Sequence, residues 1–235
     1  MAEPKPKQSN PVDSGGHRKR LRERFFRAGI DAFSPHELVE LLLTLAIPRK
    51  DVKPLAKVLI ARFGSLRAIV DASRTDLLAV KGVTEASVFA LEFLRSLIPL
   101  YLQSQIEVES LKADSDGLSD YWRARIGHTS NEVFEIALFD PGMRLMRNGV
   151  VTHSHGAADQ TVVFPKEVIR MALNRNAYAI AFAHNHPSGD PAPSDADKLL
   201  TRQLVLAATA AQIKVVDHLV VTATHVFSFR KEGLL

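Results

Sequence analysis

The sequence predicts an α/β layered domain, a mixed sheet with flanking helices, preceded by a small all-helical domain. Three observations carry this. Residues 17 to 102 run through successive helical patterns with no strand pattern between them. From Ala113 onward, short apolar runs and helical runs follow one another, as expected of helices packed on a sheet. One apolar run, Tyr178 to Ala183, ends in His184, Asn185 and His186, then passes through a Pro-, Gly- and Ser-rich loop into a helix opened by Ser194.

At 235 residues the chain can hold one large or two small domains, each with a real core. No apolar run approaches membrane-spanning length. The N-terminus has charges and prolines but no hydrophobic signal segment. Cysteine is absent, which excludes disulfides, thiolate zinc sites, cysteine nucleophiles and the cysteine-bearing deaminase signature. The expectation is a cytoplasmic protein without a membrane partner.

Residues 1 to 16 are polar and rich in Pro, Lys, Ser and Gly, and read as a disordered tail. A basic helical pattern follows, His17 to Arg27, with Leu21, Phe25 and Phe26 on its apolar side. Its Arg18, Lys19, Arg20, Arg22 and Arg24 are candidate DNA phosphate contacts, or simply a solvated helix face. Ser34, Pro35 and Glu37 form a helix start: N-cap, N1 proline and N3 glutamate. That helix ends at Ala46, before Pro48. Another runs from near Val52 to Phe63, with Gly64 placed as its C-terminal cap. Short helices are expected over Leu66 to Asp71 and Thr75 to Val80, and Thr84 caps a long apolar helix to about Leu102. Residues 103 to 112 read as a linker, and the second domain as 113 to 235.

In that second domain the pattern predicts a helix at Leu118 to Arg125 and a strand at Glu132 to Asp140. Pro141 and Gly142 turn it into a partner strand, Arg144 to Val151. A short strand at Thr161 to Phe164, a helix at Pro165 to Asn174 and the strand Tyr178 to Ala183 come next. A helix at Ser194 to Ala211 and strands at Lys214 to Thr222 and Val226 to Phe229 complete it.

The chemistry concentrates at the end of the Tyr178 to Ala183 strand. Side chains alternate along a strand, so His184 and His186 point the same way and Asn185 the other. Two neutral imidazoles and the carboxylate of Asp197 are three of the four ligands of a tetrahedral zinc, and a fourth position left to water defines a catalytic site. Ser194 and Asp197 also fit a capping box, which accounts for those two residues but not for the histidines. The pair His153 and His155 has the same spacing without such surroundings, and reads as solvated loop or strand-end histidines. Asp217 and His218 read mainly as a structural or supporting pair.

The run His184 to Asp197 resembles the JAMM metalloprotease motif: His-x-His-Pro, six residues, then Ser-x-x-Asp, here without a gap. Its spelling, with Phe164-Pro165 before it and Val216, Asp217 and His218 after it, is similar to the RadC family. The resemblance implies an MPN fold, a zinc ion and hydrolysis of an amide or isopeptide bond in a protein or peptide. It also implies a glutamate base on an early strand. RadC-like chains carry it at the strand entry, which selects Glu132, with Glu135 as runner-up. The Ser194 hydroxyl would then donate to the oxyanion.

The resemblance extends to Leu77 to Ala86, similar to a helix-hairpin-helix turn, where Lys81 and Gly82 are further candidate DNA contacts. RadC relatives usually have a second glycine where this chain has Thr84. Its Cβ stands where a phosphate needs close approach and Glu85 adds repulsion, so a structural hairpin and a DNA-binding one are both open. Two other function classes accompany the peptidase: a DNA-binding, repair-associated adaptor and a metal-dependent nuclease.

Overall fold

The computed structural model describes residues 14–108, 116–155 and 163–235. The chain divides into two compact units, Met1–Arg95 and Ser96–Leu235.

The first unit is helical, as the unbroken helical periodicity requires. It holds α1 (Ser14–Ala28), a 3-10 turn (Ile30–Ala32), α2 (Pro35–Ala46), α3 (Lys53–Phe63), α4 (Leu66–Asp71), α5 (Arg74–Leu78) and the start of α6 (Glu85–Val108). Its core joins Val39 and Leu43 of α2, Ala56 and Leu59 of α3, Ile69 of α4, and Val88 and Leu91 of α6. Ser34 and Glu37 form the expected capping box with Pro35 in the first turn. Gly64 ends α3 at φ 84°, a left-handed conformation that favours glycine. Ser65 and Ser73 cap α4 and α5 through their side chains.

Two boundaries differ from the sequence expectation. α1 already includes Ser14 to Gly16, and the rest of the expected tail lies outside the described residues. α6 continues through Gln103 to Val108, so the first part of the expected linker is helical; the remainder lies outside the described residues. The tertiary reason is visible within the second unit, where Leu102 packs on its core and Tyr121 Oη donates to Gln103 Oε1 at 3.3 Å.

The second unit is a five-stranded mixed sheet of order β2-β1-β3-β4-β5. The strands are β1 (Val133–Phe139), β2 (Leu145–His155), β3 (Ala179–Asn185), β4 (Lys214–Val221) and β5 (Val226–Ser228). β3 and β4 are parallel, joined through α9 (Asp195–Ala210); the other neighbours are antiparallel. β1 and β3 are buried along their whole length, as central strands covered on both faces must be. One face packs against α7 (Gly117–Arg125), through Tyr121, Trp122, Ala137, Ala181 and Leu219. The other packs against α8 (Pro165–Asn174) and α9, through Ile136, Ile180, Phe182, Val168 and Leu204. This is the α/β architecture the sequence predicts.

The expected strand at Thr161 to Phe164 is not formed over Val163 and Phe164, which lead directly into α8; Thr161 and Val162 lie outside the described residues. β2 runs to His155, so His153 sits in a strand, half-buried, with Nε2 at 3.8 Å from Glu167 Oε2. Of the two places expected for it, loop or strand end, it takes the strand end, half-buried rather than solvated. It occupies a bulge, since β1 advances one residue from Phe134 to Glu135 while β2 moves two, from Ser154 to Thr152.

Candidate metal centre

β3 delivers the two histidines, and their orientation follows from its pairing. Phe134 of β1 faces His184 across an antiparallel ladder, and Phe134 belongs to the α8–α9 face, so His184 does too. Its ring stacks on that of Phe134, with centroids 6.3 Å apart. His186 extends the β3–β4 pairing by one step, its N–H donating to the Val221 carbonyl at 3.0 Å. The chain then turns at once. Gly189 N–H returns to the His186 carbonyl at 3.1 Å, and Gly189 has φ 87°, where a Cβ would be strained. That turn brings the Asp190 carbonyl to 2.8 Å from His186 Nδ1.

The loop ends at Ser194, the N-cap of α9, whose Oγ accepts from Asp197 N–H. Its own N–H and hydroxyl donate to Asp197 Oδ2 at 2.7 and 2.6 Å. The carboxylate aimed in this way meets both imidazoles: His184 Nε2 lies 3.3 Å from Oδ1, and His186 Nε2 lies 3.5 Å from Oδ2. The two Nε2 atoms are 3.1 Å apart. A tetrahedron with bonds of about 2.0–2.1 Å has ligand-to-ligand edges of about 3.3–3.4 Å, so the three groups fit three corners of a small divalent cation's shell. Among the described residues this is the one group of three or more His, Cys, Asp or Glu side chains close enough to hold a metal.

The electrostatics agree with the donor set. Burial opposes ionisation of Asp197, but its polar contacts with His184 and His186, with the hydrogen bond from Ser194, outweigh it and hold the carboxyl far below the usual range. The polar contact with Asp197 raises His186 despite partial burial, and the Asp190 carbonyl, with the charges of Asp197 and Glu132, adds to this.

Glu132 immediately precedes β1 and is half-buried. By alternation it lies on the face of Phe134, which is that of His184, and its charge acts on His186. Asn185, which points away from the metal ligands, holds this entry in place. Its Oδ1 accepts from Val133 N–H at 2.7 Å, and its Nδ2 donates to the carbonyls of Thr129 and Asn131. Glu135 is on the α7 face instead, 2% exposed. Arg125 Nε donates to both its oxygens, and Trp122 and Thr152 donate as well. Its carboxylate is bound into the fold on the wrong side of the sheet.

The candidate DNA residues separate into two sets. Arg18 donates to the carbonyls of Ile47 and Lys50. Arg24 pairs with Glu37 at 2.7 Å and lies over the Phe33 ring. Both hold α1 within the helical unit. Lys19, Arg20, Arg22, Lys81 and Gly82 are exposed. Gly82 has φ 100°, so glycine is required there for the turn alone. Thr84 and Ser87 exchange backbone-to-hydroxyl hydrogen bonds at 3.3 Å each, the ordinary start of a helix.

Residues 113–234 match the family model described as RadC-like JAB domain, and residues 15–89 match that described as UPF0758 N-terminal. The chain belongs to the RadC (UPF0758) family. A UPF0758 protein of Ruegeria pomeroyi is 37% identical over 93% of this chain and 97% of its own length. One from Fusobacterium nucleatum is 35% identical over 95% and 98%, and one from Rhodobacter capsulatus 38% identical over 92% and 100%. The fold is that of a JAB/MPN-type domain, and its His184, His186 and Asp197 are placed to hold a metal. No described helix of this RadC-family chain is long and apolar enough to cross a membrane.

No sequence signal marks Thr201 at the site, and His218 is offered there only as one of a structural or supporting pair with Asp217. His218 is fully buried against His184, with its Nε2 3.0 Å from His184 Nδ1 and its Nδ1 2.6 Å from Thr201 Oγ1. Burial among apolar groups, with the neighbouring His184, lowers its pKa well below the ordinary value. Asp217 is not its partner at the site: that carboxylate accepts from Ser228 Oγ and Arg230 N–H, and burial raises it.

Proposed function

We propose that this RadC-family protein is a zinc-dependent metallopeptidase of the JAMM type, hydrolysing an amide or isopeptide bond. The observation that carries the reading is the convergence of His184 Nε2, His186 Nε2 and the Asp197 carboxylate within 3.1–3.5 Å of one another. An imidazole and carboxylate set without thiolates suits zinc. A zinc ion held there supplies Lewis acidity, lowering the pKa of a water and polarising a carbonyl.

The chain's own groups supply the rest. Glu132, on the same face as His184, takes the proton of the attacking water and returns it to the leaving amine. The Ser194 hydroxyl, leaving Asp197 Oδ2 to the Ser194 N–H, donates to the developing oxyanion. Phe134 walls the site beside His184 and keeps bulk water off that side.

The first test is the metal content of the purified protein against a His186→Ala variant. Near-stoichiometric zinc in the former and its loss in the latter supports the reading; equal substoichiometric zinc in both removes it.

A second reading, a DNA-binding adaptor whose metal site is secondary, is favoured by the exposed Lys19, Arg20 and Arg22 on α1. Salt-dependent DNA binding that survives Glu132→Gln, with no peptide cleavage in either form, supports it. Metal-dependent cutting of DNA, abolished by Glu132→Gln, would instead mark a nuclease using the same ligands.

A further inference from the structure

Which nitrogen of each imidazole carries its proton decides what the site can bind, and the hydrogen bonds around it settle the matter. Thr201 Oγ1 lies 2.6 Å from the Asp197 backbone carbonyl and 2.6 Å from His218 Nδ1. A carbonyl only accepts, so the one hydroxyl proton of Thr201 points at it. The other contact must therefore be a donation from the ring: His218 Nδ1–H to Thr201 Oγ1. His218 is fully buried, its ring against Phe134, Phe182 and Phe229. Its nitrogens face the Thr201 hydroxyl and His184 Nδ1, with no carboxylate among the described residues there to stabilise a second proton, so among these apolar walls it carries one. Its Nε2 is then a lone pair, and the 3.0 Å contact to His184 is a donation from His184 Nδ1–H. What remains on His184 is an Nε2 lone pair, directed at Asp197 and His186. His186 reaches the same state more directly, its Nδ1–H donating to the Asp190 carbonyl.

We propose that Thr201 and His218 are positioning residues, forming a one-way hydrogen-bond chain from His184 to the Asp197 carbonyl that locks His184 in the tautomer presenting Nε2 to a divalent cation. Asp197 thus acts twice. Its carboxylate is a ligand, and its carbonyl anchors the chain that orients the neighbouring ligand. The strand ligand and the helix ligand are set as one unit, and a shift of α9 against β4 disturbs both.

This inference rests on the metal-centre reading, and its test separates the two. Long-range proton–nitrogen NMR on the full-length, metal-free chain at about pH 8, above the usual histidine range, reads the tautomer of His218. Chelator competition with zinc reads affinity for wild type, Thr201→Val, His218→Leu and His218→Gln, with circular dichroism confirming that each is folded. Thr201→Val keeps the shape and removes only the hydroxyl; His218→Gln restores an amide oxygen near the position of Nε2. The expected result is His218 protonated at Nδ1, zinc affinity about 10- to 100-fold weaker in Thr201→Val and His218→Leu, and most of it regained in His218→Gln. A proton on His218 Nε2 in wild type, or folded Thr201→Val binding zinc as tightly as wild type, overturns the proposal. If wild type and every variant alike bind no zinc, the metal-centre reading itself fails and takes this role with it.

Discussion

Ser194 and Asp197 hold each other from the two ends of one helical turn. The N–H and hydroxyl of Ser194 both reach Asp197 Oδ2, at 2.7 and 2.6 Å, while Asp197 N–H returns to Ser194 Oγ at 3.2 Å. The box that starts α9 is therefore the device that aims the single ligand α9 contributes. Ser194→Ala should lower stability by about 1 kcal/mol through removal of the cap. It should also weaken zinc binding by roughly tenfold, because Asp197 is no longer oriented. Thermal unfolding and chelator competition measure the two effects separately; unchanged affinity would show that Ser194 does not aim the ligand.

The two early glutamates should respond in opposite ways. Glu132→Gln is expected to keep the metal and the stability while lowering amide hydrolysis by about 10²–10⁴-fold, the contribution of a positioned general base. Glu135→Gln should leave Arg125 and Trp122 with a poorer partner and destabilise the sheet by about 2–3 kcal/mol. That is less than the ~3–5 kcal/mol of a fully buried pair, because Arg125 is 34% exposed. Urea unfolding and a peptide assay on both variants distinguish them; a catalytic loss with Glu135→Gln in a stable fold would reverse the assignment.

Acid should loosen the helical unit through Glu37. The hydrogen bond from Arg24, aided by the Ser34 N–H and opposed by burial, lowers its carboxyl from 4.5 to about 2. The folded value lies below the unfolded one, so this stabilisation is complete above about pH 4.5 and disappears as pH falls toward 2. Chemical unfolding followed across that window should show the decline, and Glu37→Gln should flatten it. An unchanged slope in the variant would assign acid sensitivity to other carboxylates.

The basic helix should divide by function along its two faces. Arg18→Ala and Arg24→Ala should reduce stability, since their guanidinium groups hold α1 to the rest of the helical unit. Replacing Lys19, Arg20 and Arg22 by Ala should leave stability within about 0.5 kcal/mol. If DNA is bound, that triple variant should bind it more weakly and with a shallower salt dependence, by about 0.9 in log–log slope for each phosphate no longer neutralised. Fluorescence anisotropy over a salt series reads this, and equal slopes for wild type and variant would dismiss the outer face as a phosphate site.

Much of the architecture is legible in the sequence because it depends on local chemistry. The capping box at Ser34, the glycine end at Gly64 and the box at Ser194 are short-range hydrogen-bond patterns that residue types and spacing specify. The convergence of His184, His186 and Asp197 is legible for the same reason. All three lie within fourteen residues, on a strand end, a rigid loop and a first helical turn.

What the chain alone left open were choices of face. Alternation puts Glu132 and Glu135 on opposite sides of β1, but only the pairing of Phe134 with His184 says which side carries the imidazoles. The bulge in β4 acts likewise. β3 advances two residues from Ile180 to Phe182 while β4 advances three, from Val215 to His218. The extra residue turns His218 rather than Asp217 toward the ligands, a one-residue slip that no local pattern announces. The same limit applies to α1, where the partners of Arg18 lie about thirty residues away. Residue types and spacing thus determined the ligand set and the helices. Register and long-range packing decided which carboxylate and which histidine face that set, and which arginines serve the fold, because side-chain direction depends on elements distant in sequence.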